Sequence, residues 1–217
     1  MYQKIVKPSL DQFFVVSDLH YGHDRDFIWG KRGFQSCHEH DNTIAQEWNR
    51  RVTNQDEVCH LGDLSFGDQS GEKTKELLLS LNFKTLYLMG GNHTSGFKKL
   101  YDQARKEFFG KETDLEVFPL ATKLQHKQIV FLPNLVEVKV GRDVFILCHY
   151  PIISHNSQAH GTYMVCGHSH GNCAVTNRYT GKGRRIDVGI ENFGGPVPLK
   201  FVVDFLKDRD YDCVDHH

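Results

Sequence analysis

The chain has 217 residues, a formal net charge of −1 at pH 7, 39% hydrophobic residues and 24% charged residues. These values exclude a disordered or collagen-like chain and fit a soluble globular protein. The length suits one domain spanning residues 1–217, because layered domains run to roughly 200–250 residues.

A balanced charge supplies no global basic field for non-specific nucleic-acid binding. No apolar run reaches the ~18 residues of a membrane span, and the opening MYQKIVKPSLDQ lacks a signal-peptide pattern, so a cytoplasmic protein is expected. Six cysteines (Cys37, Cys59, Cys148, Cys166, Cys173, Cys213) are scattered without a CxxC pair, several inside apolar runs, and are expected to be reduced and mostly buried. The unusual feature is fourteen histidines. His216 and His217 are terminal; the others invite a search for clusters, since histidine is the commonest metal ligand.

In chain order, FFVV (Phe13–Val16) reads as a buried strand stopping at Ser17-Asp18. Ile44, Trp48 and Val52 recur at helical spacing with Asp41 or Asn42 as the expected N-cap. DEVCHL (56–61) is a second strand stopping at Gly62-Asp63, and Leu77, Leu78 and Leu81 mark a helix after Ser70. KTLYLMGG is a third strand entering Gly90-Gly91, followed by a charged helix over 97–108. Beyond about residue 115, LVEVKV, a Gly141-Arg142 turn and VFILCHY predict a hairpin, with further strands at YMVCG, NCAVT, RRIDVG and KFVVDF. A βαβα half followed by mostly antiparallel strands predicts an α/β fold: a two-sheet core with helices on its outer faces.

The β-rich runs end in Asp18-Leu19-His20, Gly62-Asp63, Gly91-Asn92-His93, His149 and Gly167-His168-Ser169-His170. A carboxylate beside an imidazole suits a borderline divalent cation such as Mn, Fe, Co or Zn better than Mg or Ca. Glycine before Asp63, Asn92 and His168 is expected to let the backbone turn so that these side chains converge.

Taken in order, these five motifs resemble the calcineurin-like metallophosphoesterase pattern D-x-H, G-D, G-N-H, H, G-H-x-H over roughly residues 13–190. The resemblance implies a four-layer αββα sandwich of two mixed sheets flanked by helices. It also implies two divalent cations, with Mn expected and Fe, Ni, Co or Zn as alternatives. Asp18, His20 and His170 would hold one and Asn92, His149 and His168 the other, with Asp63 bridging. A hydroxide between them would attack phosphorus, and His93 would protonate the leaving oxygen. The family usually places Asp or Glu after that histidine; Thr94 stands here, which leaves open what orients His93.

The chain lacks the arginines of the protein Ser/Thr phosphatase branch, and its WNRRV and HLGD context is similar to small bacterial and bacteriophage members, implying a bacterial or phage-infected cell. The expected activity is a phosphodiesterase acting on a nucleotide or other small phosphoester. A phosphomonoesterase comes second, a nuclease with a nucleic-acid partner third, and a non-catalytic metal-binding scaffold last. No membrane partner is expected, and oligomeric state has no signature. His23 is an even choice between a substrate contact or partner of a ligand and a solvent-facing residue, and Arg25 between phosphate contact and solvent; His60 is expected to be structural; His155 and His160 lie in a polar segment that substrate binding and solubility explain equally. Arg178, Arg184 and Arg185 could clamp a phosphate or polynucleotide backbone but read first as a solvated hairpin, and Asp187 and Glu191 as partners of ligands.

Overall fold

The computed structural model describes residues 3–7, 9–178 and 181–210; Cys213, His216 and His217 lie outside the described residues. The strands are β1 (Gln3–Lys7), β2 (Phe13–Val16), β3 (Glu57–His60), β4 (Thr85–Leu88), β5 (Leu120–Leu124), β6 (Lys127–Phe131), β7 (Leu135–Val140), β8 (Asp143–Cys148), β9 (Tyr163–Cys166), β10 (Arg185–Asp187) and β11 (Val197–Pro198). The helices are α1 (Asp26–Trp29), α2 (Cys37–Arg51), α3 (Glu72–Ser80), α4 (Ser95–Phe109), α5 (Ile190–Phe193) and α6 (Leu199–Leu206). Among the described residues the strands form two mixed sheets, ordered β11-β2-β3-β4-β6-β5 and β1-β7-β8-β9-β10. No helix among them is long and apolar enough to cross a membrane.

Side chains alternate across a strand, and that alternation builds the core. Phe13 and Val15 pack with Cys59, Val136, Val138, Phe145, Leu147 and Val165, where the inner faces of the sheets meet. Phe14 and Val16 point the other way, into a cluster with Ile44, Trp48, Leu77, Leu78 and Tyr101 from α2, α3 and α4. On the far face of the five-stranded sheet, Ile146, Cys148, Met164 and Cys166 pack with Leu135 and the loop residue Ile152. Cys59, Cys148 and Cys166 are buried free thiols, and Cys37 and Cys173 are half-buried free thiols.

The structure corrects several expectations. α2 begins at Ser36, whose Oγ accepts from the Glu39 N–H at 3.1 Å, while the Glu39 carboxylate accepts from Gln35 N at 2.6 Å. Asp41 and Asn42, the expected caps, lie inside the helix, and Asp41 instead accepts from Gly22 N at 3.0 Å and so fastens the loop after β2. The second sheet is not mostly antiparallel: β7 and β8 form the expected hairpin, but β1 pairs with β7, and β9 with both β8 and β10, in parallel. The long 149–162 connection allows this, since a chain must travel a dozen or more residues to re-enter a sheet in the same direction.

KFVVDF is not a strand but part of α6, which buries Leu199, Val202 and Leu206 at helical spacing behind Pro198. NCAVT forms successive turns, with Thr176 N and Asn177 N both donating to Cys173 O. The β5–β6 hairpin and the edge strand β1 have no counterpart in the sequence reading.

Trp48 is fully buried, and its Nε1–H donates to Asn82 O at 2.8 Å. Trp48→Ala is expected to cost about 3–5 kcal/mol. The midpoint of urea unfolding measures it; a loss under 1 kcal/mol would contradict the packing described.

Candidate metal centre

The motif residues lie at the C-terminal ends of parallel strands: Asp18 and His20 after β2, Asp63 after β3, Asn92 and His93 after β4, His149 after β8, His168 and His170 after β9. This is where side chains beyond a parallel sheet converge on a ligand. The loops continue the strand ladder, with Asp18 N donating to Gly62 O at 3.1 Å, His20 N to Asp63 O at 3.0 Å and Gly167 N to His149 O at 2.9 Å.

The backbone there is unusual. Asp18, His20, Asp63, His168 and His170 have φ of 60°, 53°, 58°, 65° and 49°, in the left-handed region that non-glycine residues avoid. At about 1 kcal/mol each, these together are comparable in size to the ~5–15 kcal/mol net stability of a domain. Gly62 and Gly91 also have positive φ, as expected, but Gly167 does not. Its role is room: a Cβ at Gly167 would collide with Ser17 and Asp18, as one at Gly91 would with the Asp63 carboxylate.

Hydrogen bonds hold the carboxylates in place. Asp18 Oδ2 accepts from His168 N at 2.8 Å, and Asp63 Oδ1 accepts from Asn92 N at 2.9 Å and His93 N at 2.8 Å. Their other oxygens face inward. Asp63 Oδ2 lies 3.7 Å from His20 Nε2 and 3.6 Å from His149 Nε2. Asp18 Oδ1, 3.8 Å from His20 Nε2, is buried without a hydrogen-bond partner, as is His20 Nε2 itself. Beyond Asp63, Asn92 Oδ1 is 2.9 Å from His149 Nε2 and 2.8 Å from His168 Nδ1. Ligating atoms of Asp18, His20 and His170 lie within 4.8 Å of one another, as do those of Asp18, Asp63 and His149, and of His20, Asp63 and His93.

Burial sets the charge states. It pushes the Asp18 carboxyl up to about 7 and holds His20 far below the ordinary histidine value. Burial likewise brings His149 down to about 4, with the Asp63 charge opposing it. Neutral imidazoles with free lone pairs and an orphaned carboxylate oxygen are costly in a protein interior unless a cation engages them. The donor set therefore fits divalent metal.

His170 turns its Nδ1 to Glu191 Oε1 at 2.5 Å, which leaves Nε2 for the centre. Against the effect of burial, Glu191 and Asp18 raise His170 above its ordinary value; also against burial, His170 and Arg32 lower Glu191. Asp187 accepts from Gly171 N at 2.9 Å and Ser169 Oγ at 2.5 Å, fixing the His168-Ser169-His170 turn. Both acids thus brace the loop that carries His168 and His170. His60 is fully buried, and its Nδ1 accepts from Gly62 N at 3.2 Å, a structural placement.

His23 is not a solvent-facing residue: it is buried, with Nδ1 3.4 Å from His20 Nδ1. Arg25 and His160 are exposed, and His155 is buried against Thr162 Oγ1 at 3.1 Å. The expected solvated hairpin of Arg178, Arg184 and Arg185 is absent among the described residues. Arg185 is buried and donates to Ile153 O at 2.6 Å, Arg184 to Gly161 O at 3.0 Å, and Arg178 to Asn192 O.

Thr94 caps α4 without a side-chain hydrogen bond. His93 is set instead by rings: Phe66 at 5.0 Å, His20 at 5.3 Å and His23 at 5.9 Å between centroids. A cavity of about 730 Å³ adjoins the same loop, lined by Gly90, Gly91, Thr94 and Phe97 but by none of the donor residues.

Sequence reading missed Arg32. Its guanidinium donates to Asp18 O at 2.8 Å and Leu19 O at 3.0 Å, and Nε donates to Glu191 Oε1 at 2.8 Å. One side chain therefore holds the left-handed Asp18-Leu19-His20 turn and the acid that orients His170. Only the glycines on either side in GKRGF hinted at it.

No family model matches the chain. An uncharacterized protein of Methanocaldococcus jannaschii is 30% identical over 90 residues, 42% of this chain; the match spans about half, 51%, of that protein's length. The Gene 66 protein of Mycobacterium phage L5 is 27% identical over 213 residues, 94% of each chain. The crystal structure of a protein of unknown function from Aquifex aeolicus superposes with a TM-score of 0.54 at 14% identity, covering 89% of this chain and 98% of that one. That likeness concerns the fold alone.

Arg32→Ala is expected to weaken Mn binding about 10–100-fold, with Arg32→Lys intermediate because it cannot span both carbonyls and Glu191. Calorimetric titration of chelator-stripped protein measures it; unchanged affinity would remove Arg32 from this role.

Proposed function

We propose that this chain is a dinuclear metal-dependent phosphoesterase of the calcineurin-like class, and that its preferred substrate is a phosphodiester. One observation carries the reading: Asp63 Oδ2 lies between His20 Nε2 and His149 Nε2, joining a donor set of Asp18, His20 and His170 to one of Asn92, His149 and His168. The packing of α2–α4 on one sheet and of that sheet on the other supports the αββα reading of the fold. The outer face of the second sheet, packed with Ile152, departs from it. The reading includes a cytoplasmic location, in keeping with free thiols at Cys37, Cys59, Cys148, Cys166 and Cys173.

Asp18, His20 and His170 would hold one cation, Asn92, His149 and His168 the second, and Asp63 both. Mn is the expected metal, and the pair supplies Lewis acidity toward phosphate oxygens and a lowered pKa for water. The protein's own groups do the rest. Asp63 stays fixed because two backbone N–H groups hold its other oxygen, so its position does not depend on rotamer choice. His93, half-buried at the edge of the donor set, would pass a proton to the departing oxygen, and rings surround its imidazole where Thr94 stands in place of the usual acid.

Arg32, the arginine on the Asp18 loop, is engaged by Asp18 O, Leu19 O and Glu191 and offers no free fork, which favours a singly charged diester over a monoester dianion.

The test is hydrolysis of bis(p-nitrophenyl) phosphate and p-nitrophenyl phosphate by stripped protein resupplied with Mn, Ni, Zn or Mg. Diester cleavage restored by Mn or Ni is the expected result; no turnover of either ester with any metal would contradict it. Asp63→Asn is expected to abolish turnover and weaken binding of both metals. His93→Ala is expected to retain metal and lose about 10²–10⁴-fold in rate, most with poor leaving groups. Unchanged rates on alkyl diesters in that variant would remove His93 as the acid.

A further inference from the structure

Beside His93 lies a row of aromatic rings that reaches past the donor set, meeting it through His23 against His20. Phe66, three positions past Asp63, stands edge-on to His93 at 5.0 Å and stacks on His23 with centroids 3.7 Å apart and planes 14° apart. Phe27 of α1 meets His23 edge-on at 5.7 Å and stays 54% exposed. The rings thus run outward from His93 to solvent. They sit on a stiff support: Tyr21 N donates to Leu64 O at 3.0 Å and Phe66 N to Tyr21 O at 3.0 Å, joining the loops after β2 and β3. Asp68 fastens the second loop to the start of α3, accepting from Gly71 N at 3.0 Å and Thr74 N at 2.8 Å.

Single exposed phenylalanines are ordinary, as Phe108 at 64% shows; Phe27 differs in joining Phe66 and His23 in one row of rings that begins at His93. His93 serves the departing oxygen in the proposed reaction, so whatever is attached to that oxygen passes next to Phe66 and Phe27.

We propose that Phe66 and Phe27, backed by His23, form the subsite for the leaving group, and that this group carries a nucleobase. The inference rests on the phosphoester reading of the metal centre. Stacking on aromatic side chains tolerates any base because every base has a π-face, and a preformed ledge binds without an ordering cost. The adjoining Asp24, Arg25 and Asp26 do not make a basic track, so the ledge takes one nucleoside, not a length of polynucleotide. Two rings are also far short of the ~800 Å² per side of a stable protein interface.

The experiment uses full-length Phe27→Ala and Phe66→Leu proteins, with circular dichroism confirming that each is folded. The first readout is preference: kcat/KM for adenylyl-adenosine divided by that for bis(2-hydroxyethyl) phosphate. Each variant is expected to lower that ratio about tenfold, mostly through a higher KM for the dinucleoside substrate. A ratio equal to wild type in both variants overturns the proposal.

The second readout is calorimetric binding of adenosine to metal-stripped protein, expected for the wild type and about tenfold weaker in Phe27→Ala. If wild-type protein cleaves no ester with any metal, the phosphoesterase reading fails, and adenosine binding still decides the ledge. Binding about tenfold weaker in Phe27→Ala supports it; no binding by wild type, or equal binding in Phe27→Ala, overturns it.

Discussion

The Asp63 carboxylate is held by two backbone amides on one oxygen and presented between two sets of imidazoles by the other. Much else in the molecule follows from that. The amides belong to Asn92 and His93, so the loop after β4 must close against the loop after β3, and Gly91 must lack a side chain for it to do so. The closure aligns Asn92 with His149 and His168, sets His93 at the rim, and requires β2, β3 and β4 to be parallel neighbours. A single buried carboxylate thereby couples sheet topology to the chemistry of the site.

The centre is held against its own preferences. Five non-glycine residues take left-handed backbone angles, Asp18 keeps an oxygen unpaired in the interior, and burial disfavours the charged forms of Asp18 and His20. Such features persist where surrounding structure over-determines them. Here the surroundings are specific: Arg32 on the carbonyls of Asp18 and Leu19, Asp187 on the His168-Ser169-His170 turn, and Glu191 between Arg32 and His170. Cations seated among these donors would compensate the unpaired oxygen and lone pairs directly, so folding and metal binding are expected to be thermodynamically linked.

The donor residues were legible because short apolar runs end abruptly in Asp, Asn or His beside glycine, a pattern that local chain statistics carry. FFVV, VCHL and YLMG could hardly be anything but strands feeding those residues. Arg32 was not legible, because its partners are carbonyls and an acid brought together only by the fold. The ambiguity of KFVVDF was physical: it lies in the eight-residue, mostly apolar run LKFVVDFL, which satisfies both the two-residue and the helical period, and burial of Leu199, Val202 and Leu206 decides for the helix. Parallel pairing of β9 was hidden for another reason, since direction depends on where the 149–162 connection runs, not on its composition. The arginines after residue 177 looked like solvated charge, yet each finds backbone carbonyls that only the tertiary structure supplies.

The central claim is that this site holds two cations bridged by Asp63. Anomalous diffraction at the manganese edge, from crystals of stripped protein re-equilibrated with Mn, addresses it directly. The account predicts two peaks about 3.5–4 Å apart, one beside Asp18, His20 and His170, the other beside Asn92, His149 and His168, with the Asp63 carboxylate touching both. No peak at these residues, or a single peak that leaves Asp63 uncoordinated, would contradict it.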